Sequence, residues 1–157
     1  MDLKPGDIIL VKGTGIISEL IEDVSKGQYS HTAIYINKNI IVEAEGFEKT
    51  GYVNIDKYKG HADVYRFDKL TDKEQLRIVM YLRKQLGTHY DYLLLFWEFL
   101  RYRLHILLPY KEFHNHICST LARDAYKSIR LELCPGIKYP SPSEIGKSKL
   151  LIKVGSI

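Results

Sequence analysis

An α+β fold, with a mainly antiparallel sheet packed with helices, is what this sequence predicts. Three observations point to it. The β-rich runs come first and the helical patterns follow. A hairpin signal sits inside the strand-rich part. No repeat, low-complexity tract or Gly/Ser linker divides the 157 residues, which fits a single domain over 1–157.

The elements follow in chain order. After the Pro5-Gly6-Asp7 turn, Ile8-Ile9-Leu10-Val11 is a short apolar run of the kind that forms a buried strand. Gly13 and Gly15 break it; Ile16, Ile17, Leu20, Ile21 and Val24 then recur at helical spacing until Gly27. Thr32–Ile36 and Ile40–Ala44 flank Asn37-Lys38-Asn39 as a hairpin, with further strands expected at Tyr52–Ile55 and Ala62–Phe67. Thr71-Asp72-Lys73-Glu74 is a capping box that starts a helix running to Gly87. Asp91 opens a second helix that ends before Pro109. Cys118 to about Ile129 forms a third, with Leu121, Ala125 and Ile129 on one side. Pro140 and Pro142 interrupt the chain, and Leu150–Val154 reads as a last strand.

Composition excludes several function classes. Lys and Arg total 23 against 19 Asp and Glu, a net charge of +4, and the cations are scattered, so no nucleic-acid partner is expected. At 45% apolar residues the chain is not disordered. The N-terminal residues Met1-Asp2-Leu3-Lys4-Pro5-Gly6 lack an apolar signal region, and the uncharged apolar run Tyr92–Trp97 is too short to span a bilayer. A cytoplasmic location is the resulting expectation, in which Cys118 and Cys134 remain thiols. There is no phosphate loop, and Ser18, Ser30, Ser119 and Ser143 lack a nucleophile elbow.

The hairpin register places a histidine beside carboxylates. A three-residue loop pairs residue 36 with 40, 34 with 42 and 32 with 44. One face then carries Ile34, Ile36, Ile40, Val42 and Ala44; the other carries His31, Ala33, Tyr35, Ile41, Glu43 and Glu45. A one-residue slip would exchange the faces and bring Glu43 onto the apolar one, so the pattern selects this register. Glu45 then lies across from His31 and Glu43 on the diagonal, within side-chain reach. Such a pair serves equally as a solvent-facing salt bridge or as a catalytic base with its orienting acid.

Cys118 supplies the partner that favours catalysis. At a helix N-terminus, the positive end of the dipole favours a thiolate, and the backbone N–H points where an oxyanion would form. An imidazole takes the thiol proton and later protonates the leaving group, while a carboxylate fixes its tautomer. Cys118, His31 and Glu43 supply these three roles. Cys134, before Pro135-Gly136, lacks that setting and reads as an inert structural thiol.

These residues resemble the circularly permuted papain-like hydrolases, the permuted branch of the NlpC-type superfamily, and within it the YiiX-like amidase or peptidase group. The resemblance is carried by Gly6-Asp7-Ile8-Ile9-Leu10, by Ser30-His31 in Tyr29–Ile36, by Glu43-Ala44 after Ile41-Val42, and by Cys118-Ser119 opening a helix. Gly87-Thr88-His89-Tyr90-Asp91 is similar to the group's G-x-x-Y-D element, and Tyr139-Pro140-Ser141-Pro142-Ser143 to its proline-containing turn. The resemblance implies Cys118 as nucleophile, His31 as base and Glu43 as acid, with Glu45 as a competitor on register alone. It also implies a cofactor-free thiol hydrolase forming an acyl-enzyme on Cys118 and cleaving an amide or isopeptide bond, for instance in a cell-wall peptide. A peptide or amide-containing substrate is thus the expected partner.

Rival readings attach to the same residues. His114, His116 and Cys118 alternate and, with His31, would make a tetrahedral zinc site if their segment were a strand; the helix start at Cys118 disperses them, so no metal is expected. His61, His89 and His105 have no evident partner. The segment 91–110 is apolar almost all round apart from Glu98, Arg101 and Arg103. It reads as a core helix, or as one resting on a lipid or membrane surface with Trp97 and Tyr102 at headgroup level. The lipid option matches the lecithin:retinol acyltransferase branch, in which the enzyme would be a lipid-directed thiol acyltransferase or esterase. A non-catalytic binding module of the same fold is the alternative outside enzymes. Oligomeric state is not fixed by the sequence.

Overall fold

Six strands form one sheet in the order β4-β3-β2-β1-β5-β6, every neighbouring pair antiparallel. The computed structural model describes residues 1–13, 27–44, 49–89 and 117–157. The helical patterns expected at 16–24 and 91–108, and with them Glu45, His105, His114 and His116, lie outside the described residues. The strands are β1 (Ile8–Val11), β2 (His31–Asn37), β3 (Ile40–Glu43), β4 (Gly51–Asn54), β5 (Ala62–Arg66) and β6 (Ile152–Ser156). The helices are α1 (Asp72–Gln85), α2 (Cys118–Lys127) and the short α3 (Pro142–Gly146), with a 3-10 turn at Ile55–Tyr58.

Strand alternation sorts the apolar residues onto two buried faces. Ile8, Leu10, Ile34, Ile36, Val42 and Ala44 pack against Ile78 and Leu82 of α1, Leu121, Ala125 and Tyr126 of α2, and Ile145 of α3. On the opposite face Ile9, Val11, Ala33, Tyr35, Ile41 and Val64 cluster with Ile55 and Tyr58 of the 3-10 turn. The face expected to carry a possible solvent-exposed pair is therefore covered.

The register of the hairpin is the expected one through most of its length, with Ile34 opposite Val42 and Ala33 opposite Glu43. Its loop differs. Asn37 pairs with Ile40, so only Lys38 and Asn39 turn, both with positive φ (43° and 63°), and an irregularity between Tyr35 and Asn37 absorbs the shift. This matches a bulge at the end of β2 followed by a two-residue hairpin turn, which keeps the apolar face intact with one fewer loop residue. Smaller differences occur at element ends: β6 starts at Ile152 rather than Leu150, and α2 ends at Lys127 rather than Ile129.

The expected capping box at the start of α1 is present: Thr71 Oγ1 accepts from the Glu74 N–H, and Glu74 accepts from the Thr71 N–H at 2.9 Å. The Gly6-Asp7 turn ties the N-terminus to the body. Buried Asp7 takes two hydrogen bonds from the Arg66 guanidinium, each 2.7 Å, and Tyr126 donates to the Gly6 carbonyl at 2.8 Å. Gly6 has φ +97°, and a Cβ there would stand 2.9 Å from Leu70 Cδ1. Gly6→Ala is expected to cost about 2 kcal/mol from the positive φ and the forced displacement of Leu70. A lower urea midpoint at unchanged slope in equilibrium unfolding would show it.

Candidate active site

α2 packs against β2, and the first residue of each element faces the other: Cys118 opens the helix and His31 opens the strand. Ile117 occupies the N-cap of α2 in extended conformation and has no side-chain acceptor to offer. Instead Thr120 Oγ1 accepts from the Ile117 N–H at 3.1 Å and donates back to the Ile117 carbonyl. The N-cap side chain therefore makes no hydrogen bond to the first turn of α2.

The start of β2 is pinned from the helix side. The Tyr29 N–H donates to Ser143 Oγ of α3 at 3.0 Å, and that hydroxyl donates to the Tyr29 carbonyl at 3.3 Å. The buried Tyr29 hydroxyl donates to Asp63 Oδ2 at 2.7 Å and lies 3.1 Å from the Tyr65 hydroxyl. Asp63 also receives Ser156 Oγ at 2.6 Å and the ammonium groups of Lys153 (2.9 Å) and Lys12 (3.2 Å). Burial disfavours its charge, but these partners hold its carboxyl well below the usual range. The network fixes the residue two positions before His31.

His31 is held on both sides. Its Nε2 lies 2.9 Å from Glu43 Oε2, and its ring also hydrogen-bonds the Cys118 thiol. With Nε2 committed to the carboxylate, Nδ1 is the nitrogen left for sulfur. Burial works against an imidazolium, but the electrostatic and hydrogen-bond interactions with Cys118 and Glu43 outweigh it and raise His31 from 6.5 to about 10. Glu43, only 2% exposed, is likewise opposed by burial; hydrogen bonds from His31, Tyr58 and Lys57 nevertheless hold it at about 2.

Glu43 thus reaches His31 from the diagonal position, two residues removed from its direct partner Ala33, as β-sheet spacing allows. Cys118, His31 and Glu43 come together; Cys134 lies apart. Its thiol donates to the Glu144 carbonyl at 3.5 Å, and burial first, then Glu144 and Glu132, pushes it up to about 11. Sequence reasoning missed Lys57 and Tyr58. Lys57 Nζ lies 3.0 Å from Glu43 Oε1, and the Tyr58 hydroxyl donates to Oε2 at 2.7 Å. The available signal was Asn54, whose side chain caps the turn by accepting the Asp56 N–H at 2.9 Å.

Among the described residues, no three His, Cys, Asp or Glu side chains gather as metal ligands, and no helix is long and apolar enough to cross a membrane. The zinc alternative and the lipid-surface reading of segment 91–110 depend on residues outside that set.

Comparison with known proteins adds three findings. Over its full length the chain resembles the crystal structure of the metalloprotein yiiX from Escherichia coli O157:H7. The TM-score is 0.75 with 17% identity, covering 98% of this chain and 97% of that one, a likeness of fold. It is 32% identical over 94 residues to the probable lipoprotein peptidase YaeF of Escherichia coli (strain K12). That match covers 58% of this chain and 34% of YaeF, about a third of the relative's length. Finally, residues 2–102 match the profile of the family described as permuted papain-like amidase enzyme, YaeF/YiiX, C92 family. With that match running from the Gly6-Asp7 turn through the His31 and Glu43 strands, the chain belongs to the permuted papain-like amidases of the YaeF/YiiX family.

Proposed function

We propose that this chain is a cysteine hydrolase that cleaves a peptide-type amide or isopeptide bond, with Cys118 as nucleophile, His31 as acid and base, and Glu43 as the orienting carboxylate. The observation that carries this is the imidazole of His31 lying between the Cys118 thiol and a buried, ionised Glu43. Family membership supports amide chemistry.

In the first half-reaction the Cys118 sulfur attacks the carbonyl carbon, and the carbonyl π electrons move onto oxygen. The N-terminal N–H groups of α2 are the natural donors to that oxyanion. As the C–N bond breaks, His31 passes its proton to the departing amine, which leaves a thioester on sulfur and a neutral imidazole. His31 then takes a proton from water; the hydroxyl adds to the thioester carbon, the C–S bond breaks and the acid leaves. Thiolate and imidazolium are thereby restored. Glu43 stays ionised throughout and fixes the ring through Nε2. A cell-wall-type peptide is one substrate of this class.

The test is the pH dependence of iodoacetamide alkylation at each cysteine, read by mass spectrometry in the wild type, His31→Ala and Glu43→Gln. Rapid modification of Cys118 at pH 6, lost in His31→Ala and weakened in Glu43→Gln, is the expected result, because an ordinary thiol ionises only near pH 8.5. Cys134 should stay slow throughout. If Cys118 reacts like Cys134 in all three proteins, no thiolate–imidazolium pair exists and the binding-module alternative takes the lead.

A further inference from the structure

Glu43 receives more than the histidine it would orient. Its Oε2 accepts from both His31 Nε2 (2.9 Å) and the Tyr58 hydroxyl (2.7 Å), while Oε1 takes the Lys57 ammonium at 3.0 Å. A carboxylate with a single partner can rotate about its terminal bond and carry the imidazole with it. One held through both oxygens by three donors from two elements has a single orientation.

The 3-10 turn that brings Tyr58 and Lys57 is itself anchored at both ends. The Ile55 N–H donates to the Asn39 carbonyl in the hairpin turn at 2.8 Å, and the His61 N–H donates to the Tyr58 carbonyl at 3.0 Å. The Tyr58 ring lies 5.8 Å from the His31 ring, tilted by 42°, and the Lys57 ammonium sits 5.2 Å from the Tyr58 ring centre. Phenylalanine would fill the space of the Tyr58 ring equally well. The hydroxyl is the part that reaches the carboxylate.

We infer that Tyr58, with Lys57 on the other carboxylate oxygen, is a positioning residue for the Cys118–His31 pair, acting through Glu43. The inference rests on the catalytic roles proposed above. The Tyr58 hydroxyl binds Glu43 Oε2, and so fixes the acceptor to which the far side of the imidazole is tied. Among the described residues, the charged and titratable groups on Glu43 are His31 from β2 and Lys57 and Tyr58 from the 3-10 turn, with Cys118 one step beyond on α2.

The test compares wild type, Tyr58→Phe, Glu43→Gln and the double variant. Two readouts are used: the Cys118 alkylation rate at pH 6, and the NMR signal of the His31 Nε2 proton in protein labelled with 15N-histidine. Tyr58→Phe is isosteric, so its melting temperature should stay within a few degrees of wild type, which separates a positioning effect from unfolding. It should slow alkylation by about fivefold, the scale of one hydrogen bond to a charged group felt at second hand, and displace the Nε2 proton signal. In the Glu43→Gln background the same change should alter the rate by less than about twofold, since the shared partner is gone. Equal slowing in both backgrounds, or an unmoved rate and proton signal in Tyr58→Phe, would overturn the inference while leaving the catalytic pair intact. If instead Cys118 alkylation ignores His31→Ala altogether, the pair itself is absent and both proposals fall.

Discussion

Replacing Cys118 with alanine is expected to reduce amide hydrolysis on the order of 10⁴-fold or more, because removal of the proposed attacking atom leaves only whatever the oxyanion donors and substrate binding contribute. The fold should tolerate the change. Cys118 is buried at the end of α2, alanine is a better helix former than cysteine, and the volume lost is one sulfur atom. Cys134→Ala provides the contrast. That thiol is also buried, but among the described residues it bonds a backbone carbonyl, and it is held protonated, so its loss should touch stability and leave turnover unchanged. Peptide-amide and lipid-ester substrate panels, assayed side by side for both variants, separate the alternatives. Amide turnover lost only in Cys118→Ala supports the hydrolase; ester turnover lost in the same way moves the enzyme to the lipid-directed branch. Amide turnover that survives Cys118→Ala removes this residue as nucleophile.

How much of this was legible in the sequence depends on the range over which each signal acts. The hairpin faces were legible because burial enforces a period of two: Ile34, Ile36, Val42 and Ala44 had to share a side, and that placed Glu43 near His31. The loop was not. Lys38-Asn39 lacks the Asn-Gly signature of a two-residue turn, and the bulge that reconciles it with the register leaves no mark on the apolar pattern. The α1 capping box could be read from Thr71 and Glu74 alone. An equivalent signal at Ser141-Pro142-Ser143-Glu144, with proline at the first helical position, starts α3 and was overlooked beside the prolines. The Ile55–Tyr58 turn is too short to show periodicity; Asn54 marks its start, but nothing local tells that Lys57 and Tyr58 will meet Glu43 on another strand. Cys118 was legible as a helix start, and its meeting with His31 emerges only once α2 packs on β2.

His31→Ala should cost amide turnover on the order of 10³-fold or more, since in the proposed mechanism it removes both the proton acceptor for water and the donor to the leaving amine. Its effect on pH behaviour has a definite sign. His31 is raised from 6.5 to about 10 in the folded protein, so its contribution to stability is complete below about pH 6.5 and is lost as pH climbs through about 10. Glu43 is lowered from 4.5 to about 2, so its contribution is complete above about pH 4.5 and is lost as pH falls through about 2. Between them the two groups make the fold firmest from about pH 4.5 to 6.5. Denaturant unfolding of wild type and His31→Ala across pH 5 to 10 measures the first of these. Wild type should lose stability toward the alkaline end, whereas His31→Ala should run flatter there and leave Glu43 with only Tyr58 and Lys57 as the partners seen here. Parallel curves for the two proteins would mean that His31 carries no raised affinity for its proton, and the charged thiolate–imidazolium pair would be lost as the resting state of the site.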